Sequence, residues 1–161
     1  MSITTGPRQV IVVTTRAKQN GKIKDNAITV AWHTQLSFKP YLYAIAIGKT
    51  RYSYSLIKKS KVFCINFIPS KLKKLALFFG KTTGKNIEKL KNIATLPCKK
   101  MDCLRLKDAL AWLECKVIKV VNAGDHVLFI GEVINEEINK KYDLEKEKRL
   151  YHFFGNVFKK C

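Results

Sequence analysis

The sequence predicts a mainly β fold, one antiparallel β domain with short helical insertions. Three observations predict it. Runs rich in Val, Ile, Thr and aromatic residues recur between Gly, Pro, Asn and Asp turn signals. Stripes of helical period are few and short. The 161 residues contain no internal repeat, linker or low-complexity tract, so a single domain over 1–161 is expected, long enough to bury its core without disulfides or a metal.

Residues 9–15 form a β-branched first strand, and Gln19-Asn20-Gly21-Lys22 then signals a tight hairpin, because Asn and Gly accept the positive φ of its turn. Residues 27–34 and 41–47 read as the second and third strands, separated by Ser37-Phe38-Lys39-Pro40. Over 50–58, Tyr52, Leu56 and Ile57 approach helical spacing, with Thr50 placed to cap the first turn. Residues 62–68 form a strand. Leu72, Leu75, Ala76 and Phe79 follow the i, i+3, i+4, i+7 pattern of a helix opened by Pro69-Ser70 and closed by Gly80. A second short helix is expected over 86–92, where Ile87 and Leu90 share a face. Two long antiparallel strands, 110–121 and 126–138, flank the turn Asn122-Ala123-Gly124-Asp125. Residues 139–149 are a charged excursion, and the aromatic segment 150–158 adds a final strand.

Composition narrows the function classes. Thirty-one Lys and Arg against 12 Asp and Glu give a formal net charge of +19, a field that attracts phosphates, nucleic acid or acidic proteins. The excess is mostly Lys and is dispersed along the chain, which favours a solvated surface over a dedicated nucleic-acid face. No apolar run approaches the ~18 residues of a membrane span. The opening residues 1–7 lack the basic region and apolar stretch of a secretory signal, so the cytoplasm is the expected location. Five cysteines, an odd number, are expected as mostly free thiols.

Familiar catalytic signatures are missing. Cys98, Cys103 and Cys115 lack zinc-ribbon spacing and His33, His126 and His152 are scattered, so no metal site is expected. Neither Gly-x-Gly-x-x-Gly nor Gly-x-x-x-x-Gly-Lys-Ser/Thr occurs. Gly48-Lys49-Thr50-Arg51-Tyr52-Ser53 lies between a strand end and a helix start, where backbone N–H groups, two cations and hydroxyls could converge on a phosphate. The same residues also read as a helix cap with two solvated charges. Gly124-Asp125-His126 reads equally as a turn with a histidine on the next strand.

Taken in order, these segments resemble the flavin reductase-like, FMN-binding split-barrel family. The resemblance is carried by Asn26-Ala27-Ile28-Thr29-Val30-Ala31-Trp32-His33-Thr34-Gln35-Leu36-Ser37-Phe38-Lys39-Pro40, by Ile47-Gly48-Lys49-Thr50-Arg51-Tyr52-Ser53 and by Phe63-Cys64-Ile65-Asn66-Phe67-Ile68-Pro69. Thr83-Gly84-Lys85-Asn86-Ile87-Glu88-Lys89-Leu90 is similar to the family's Ser-Gly-Arg-Asp-x-Asp-Lys-Phe segment, and Gly124-Asp125-His126 to its Gly-Asp-His strand. Tyr151-His152-Phe153-Phe154-Gly155 resembles its C-terminal Leu-x-x-x-Gly-Gly region, with Phe154 in place of the first glycine. Gln35-Leu36 also departs from the common pattern.

The resemblance implies an antiparallel Greek-key split β-barrel with short helical insertions, built as a homodimer with FMN near the subunit interface. It places Thr29, Val30, Ala31, Trp32, His33 and Thr34 beside the isoalloxazine, and Lys49, Arg51 and Ser53 on the phosphate. Gly84 and Lys85 approach from the insertion, His126 sits near the ring system as the candidate catalytic or donor-positioning residue, and Tyr151 packs on the flavin. The implied activity is transfer of electrons from NADH or NADPH to free flavin, a ferric chelate or another acceptor. A flavoredoxin-like carrier that docks an acidic electron-transfer protein is the alternative, and a basic nucleic-acid-binding β-barrel is a third class, disfavoured because no stacking motif is evident.

Overall fold

A computed structural model describes residues 6–161. Residues 1–5, part of the stretch from which no secretory leader is expected, lie outside the described residues. Twelve strands and two short helices follow in the order β1 (Arg8–Gln9), β2 (Ile11–Gln19), β3 (Lys22–Val30), β4 (His33–Phe38), β5 (Tyr41–Gly48), α1 (Tyr52–Ser60), β6 (Val62–Phe67), α2 (Lys73–Lys81), β7 (Thr95–Pro97), β8 (Leu104–Leu106), β9 (Ala111–Ala123), β10 (His126–Ile138), β11 (Leu150–Phe154) and β12 (Val157–Lys160). Every strand pairing is antiparallel.

Seven strands form one sheet in the order β3-β2-β6-β9-β10-β5-β4. Its two edge strands, β3 and β4, are consecutive in sequence and joined by Ala31 and Trp32 alone. Six inter-strand spacings would separate those edges by roughly 29 Å in a flat sheet, whereas three Cα steps span at most about 11 Å. The sheet therefore curls until its edges approach, and the fold is a split barrel with its seam at Ala31-Trp32.

Side-chain alternation builds two cores from the same strands. Ile11, Val13, Ile45, Phe63, Ile65, Leu113 and Phe129 fill the barrel interior. Val10, Val12, Cys64 and Trp112 face outward and are covered by Ala76 and Phe79 of α2 and by Leu90, Leu106 and Leu150. Burial on both faces explains why β2 begins as an unbroken apolar run. Asn20 and Gly21, both at positive φ, close the two-residue β2–β3 hairpin. The long hairpin β9–β10 pairs from Ala111↔Ile138 to Ala123↔His126 and supplies the barrel's central strands.

Several local expectations are corrected. The strand expected over 27–34 breaks at Ala31-Trp32, because the chain crosses the seam there. Thr50 does not cap α1: the N-cap is Arg51, with no side-chain cap hydrogen bond. Gly80 lies inside α2, which runs on to Lys81. Residues 86–92 form successive turns instead of a helix, held by i to i+3 bonds such as Lys91 N–H to Glu88 O. The reason is tertiary: Lys89 and Leu90 both turn inward, and the Lys89 Nζ donates to the carbonyls of Ala27 and Phe79. Residues 150–158 make two strands, since Gly155 at φ +51° folds β12 back onto β11.

Candidate functional site

The barrel seam opens into a cleft of about 420 Å³. Thr29, Val30, Ala31 and Trp32 form one side, Ala46, Ile47, Gly48 and His126 another, and Ala76, Leu77 and Gly80 of α2 a third. His152, Asn156 and Phe158 of the C-terminal hairpin complete it. The lining is dominated by apolar atoms and lies within the usual size range for small-molecule sites. Residues 31–32 fall between the β2–β3 ladder, which ends at Val30, and the β4–β5 ladder, which begins at His33. Backbone here is thus not committed to strand pairing throughout, although Trp32 O accepts from Ala46 N at 2.9 Å.

A smaller pocket of about 80 Å³ adjoins the first, lined by Asn26, Thr50, Arg51, Ser53, Gly84 and Lys89 among others. Arg51, Ile28 and Gly80 line both. The small pocket lies at the N-terminus of α1, whose first turn has no acidic residue and no side-chain cap, so its N–H groups keep their partial positive charge. Lys89 is 4% exposed. Burial, then the Arg51 charge, push its pKa down to about 8. Its two carbonyl bonds, each 2.9 Å, leave one of three ammonium donors for the pocket it lines. Asn26 Nδ2 donates to Ser53 Oγ at 2.8 Å, while the buried Asn26 Oδ1 has no partner. Gly84 packs directly on that amide; a Cβ there would collide with Asn26 Oδ1 and approach Tyr52 Cδ1 to 3.1 Å.

His126 opens β10, directly opposite Gly48. Its Nδ1 lies 2.7 Å from Asp125 Oδ1, and hydrogen bonding to His126 holds the Asp125 carboxyl below its ordinary range. The imidazole also lies 4.7 Å from the Trp32 ring centroid. These contacts orient both rings at the cleft wall.

The structure therefore brings together Thr29, Val30, Ala31, Trp32, Arg51 and His126 at the cleft, with Ser53 and Gly84 at the small pocket. It does not bring His33, Thr34, Lys49, Lys85 or Tyr151 to either lining. His33 is tied to Tyr43 Oη and Gln9 O, and burial lowers its pKa. Thr34 is exposed on β4, and Lys49 is exposed near the Asp125 carboxylate. Lys85 lines a separate surface pocket with Asp25 and Glu88. Strand alternation explains Tyr151: Leu150 and His152 turn inward, so Tyr151 between them cannot.

Three polar residues escaped the sequence reading. In sequence Lys89 is indistinguishable from a solvated lysine, and Asn26, just before the strand expected over 27–34, carries no site signal of its own. His152 is adjacent to Tyr151, the aromatic that the resemblance places on the flavin. Its Nε2 lies 2.9 Å from Gly155 O, as a donor to that carbonyl, and its Nδ1 is buried without a partner.

The flavin reductase like domain model matches residues 4–159. The chain belongs to the flavin reductase-like family. An uncharacterised protein of Archaeoglobus fulgidus is 36% identical over 118 residues, covering 72% of this chain and 67% of that protein. A ferric-chelate reductase (NAD(P)H) of the same organism is 27% identical over 107 residues, covering 66% and 63%. The chain spans about two thirds or less of the length of the curated relatives it matches. Among solved structures, an FMN-binding protein from Thermus thermophilus superposes with a TM-score of 0.89 at 23% identity, covering 99% of this chain and 89% of that one. This flavin reductase-like chain thus shares the split-barrel fold. None of its described helices is long and apolar enough to cross a membrane.

Proposed function

We propose that this flavin reductase-like protein binds FMN, with the isoalloxazine in the seam cleft and the phosphate in the pocket at the start of α1. The observation that carries the reading is the junction at Arg51: a ring-sized apolar cleft leads into a small pocket furnished with a guanidinium, a buried ammonium and helix N–H groups. The residues present fit that cofactor. The Lys89 ammonium keeps a donor for phosphate oxygens, the unpartnered Asn26 Oδ1 is an acceptor that a hydroxyl of the cofactor would satisfy, and Gly84 beside that amide carries no Cβ to fill the space. Arg51 provides the planar fork suited to phosphate oxygens, and Lys89 a compact second charge.

When bound, FMN supplies hydride and single-electron chemistry. The chain's own residues bind and orient it. Trp32 and Ala31 cover the seam side of the ring, and backbone at 29–32 offers polar groups to its edge. His126, held by Asp125, stands where it positions the electron donor or a proton. The donor is NADH or NADPH and the acceptor a flavin, ferric chelate or other small oxidant, a reading consistent with the ferric-chelate reductase relative. The working form is a homodimer in the cytoplasm: β4 lies at a sheet edge and exposes Leu36 and Phe38, the latter 84% exposed. A net charge of +19 supports a second reading, an electron carrier that docks an acidic redox protein.

Purification without added flavin followed by FMN and riboflavin titration tests the first reading. A bound flavin spectrum and tighter binding of FMN are expected, and equal affinity for the two ligands overturns the phosphate assignment. Steady-state oxidation of NADH or NADPH by the FMN-loaded protein separates reductase from carrier.

A further inference from the structure

Away from the flavin cleft, the hairpin β7–β8 carries two of the five cysteines. The register Thr95↔Leu106, Leu96↔Arg105, Pro97↔Leu104 continues by one step to set Cys98 opposite Cys103, and Cys98 N donates to Cys103 O at 2.9 Å. Cys103 N donates instead to Met101 O at 3.0 Å, and opposed residues of antiparallel strands have Cα atoms about 4.5–5.5 Å apart, within the range that a disulfide spans. Beneath them, Cys64 of β6 is fully buried in the same core cluster as Cys103. Cys98 packs against that cluster, while the Cys64 and Cys103 thiols donate to the carbonyls of Ile65 and Leu104.

The loop between the two cysteines is anchored independently of them. Glu114, 0% exposed, accepts from Lys99 N at 2.8 Å and Lys100 N at 2.7 Å, so the chain between Cys98 and Cys103 is held in place. Cys98 is partly exposed, whereas Cys103 and Cys64 are buried. The neighbouring Cys103 and Cys64 thiols, joined by the Arg105 charge, outweigh burial and the Glu114 carboxylate and hold Cys98 below its usual thiol range. Its two neighbours are pushed upward, so the most accessible member of the cluster is also the best nucleophile. Among the described residues no group of His, Cys, Asp or Glu has the arrangement of a metal site.

We infer that Cys98 and Cys103 form a reversible redox pair in which Cys98 reacts with hydrogen peroxide and Cys103 resolves it to a disulfide. The Cys98 thiolate attacks one peroxide oxygen, the O–O bond breaks, and the departing hydroxide takes a proton to leave as water. The resulting sulfenic acid is attacked by the Cys103 sulfur: the S–S bond forms, the S–O bond breaks and a second water leaves. Two thiols lose two electrons in all, and one peroxide becomes two waters. A dithiol reductant reverses the change by exchange. The disulfide staples the turn that Glu114 already holds, so oxidation needs no rearrangement of the barrel.

The test treats the reduced full-length protein with one equivalent of hydrogen peroxide, blocks remaining thiols and maps peptides without reduction. A Cys98–Cys103 linkage with loss of two thiols per chain is expected, restored by dithiothreitol. In Cys103→Ser the same dose leaves Cys98 as a sulfenic acid trapped by dimedone. In Cys98→Ser, Cys64 and Cys103 stay as thiols. Oxidation confined to the exposed Cys161, a Cys64–Cys98 linkage, or equal thiol loss in parent and Cys98→Ser overturns the assignment. The parent map decides the question even where a variant folds poorly.

Discussion

At the scale of single residues, Arg51 is where the two halves of the candidate site meet. If it forks onto a phosphate, Arg51→Ala removes two charge-assisted hydrogen bonds, which costs about 1.5–3 kcal/mol or roughly ten- to hundredfold in FMN affinity. Arg51→Lys restores only part, because an ammonium lacks the planar fork. Lys58→Ala and Lys59→Ala, in the last turn of the same helix, leave affinity near the parent value. Flavin titration of the four variants checks this, and matching losses from the distal lysines would count against a localised site. Lys89 adds a pH signature. Its pKa near 8 lies below the ordinary 10.5, so between those values the unfolded chain binds more protons than the folded one and stability gains from rising pH. Phosphate binding has the opposite sign, since it needs the ammonium charged. FMN affinity should therefore fall up to about tenfold per pH unit above pH 8. Riboflavin, lacking phosphate, should not follow, and Lys89→Met should flatten the profile; an FMN affinity constant from pH 7 to 9.5 would remove Lys89 from the site.

At the scale of elements, the β9–β10 hairpin shows how a strand carries function at one end and packing at the other. His126 begins β10 at the cleft, and five residues later Gly131 sits at a register shift against the barrel core. A Cβ at Gly131 would come within 2.8 Å of Cys115 Cβ and of Phe63 Cζ. Gly131→Ala should cost about 1–3 kcal/mol by overpacking and lower Tm by several degrees, measured by calorimetry. Because the clash lies inside the barrel and not at the cleft, FMN affinity per folded molecule should remain close to that of the parent. A variant with unchanged Tm would show that Phe63 has room to yield. The C-terminal hairpin is similar: the alternation along β11 turns His152, and not Tyr151, to the cleft, and the turn at Gly155 folds β12 back beside it.

At the scale of the whole molecule, the sheet's curl produces the site, since a two-residue link between its edge strands creates both the seam and the cleft. The proposed dimer belongs to this scale too. Phe38 and Leu36 on the β4 edge, with Ile138 of β10 54% exposed, are large apolar side chains that a second copy would cover. Phe38→Lys should shift sedimentation from dimer toward monomer and weaken retained FMN with it if the cofactor lies at that interface. Sedimentation of the parent as a monomer with FMN fully bound overturns the dimer.

The sequence alone determined the antiparallel β class, the β2–β3 and β9–β10 hairpins, the helix around Leu75 and Phe79 and the place of Arg51 at a helix start. Those features are local: alternation, turn residues and helical spacing depend on neighbours a few positions away. It did not determine the strand break at Ala31-Trp32, the inward turn of Lys89, the unpartnered oxygen of Asn26 or the facing of His152. Each depends on what another part of the chain places beside it. A lysine is buried when the carbonyls of Ala27 and Phe79 arrive to receive it, and a strand breaks where the curled sheet brings its two edges together. Tertiary structure decided these points because burial and closure are properties of distant segments meeting, and no local pattern encodes them.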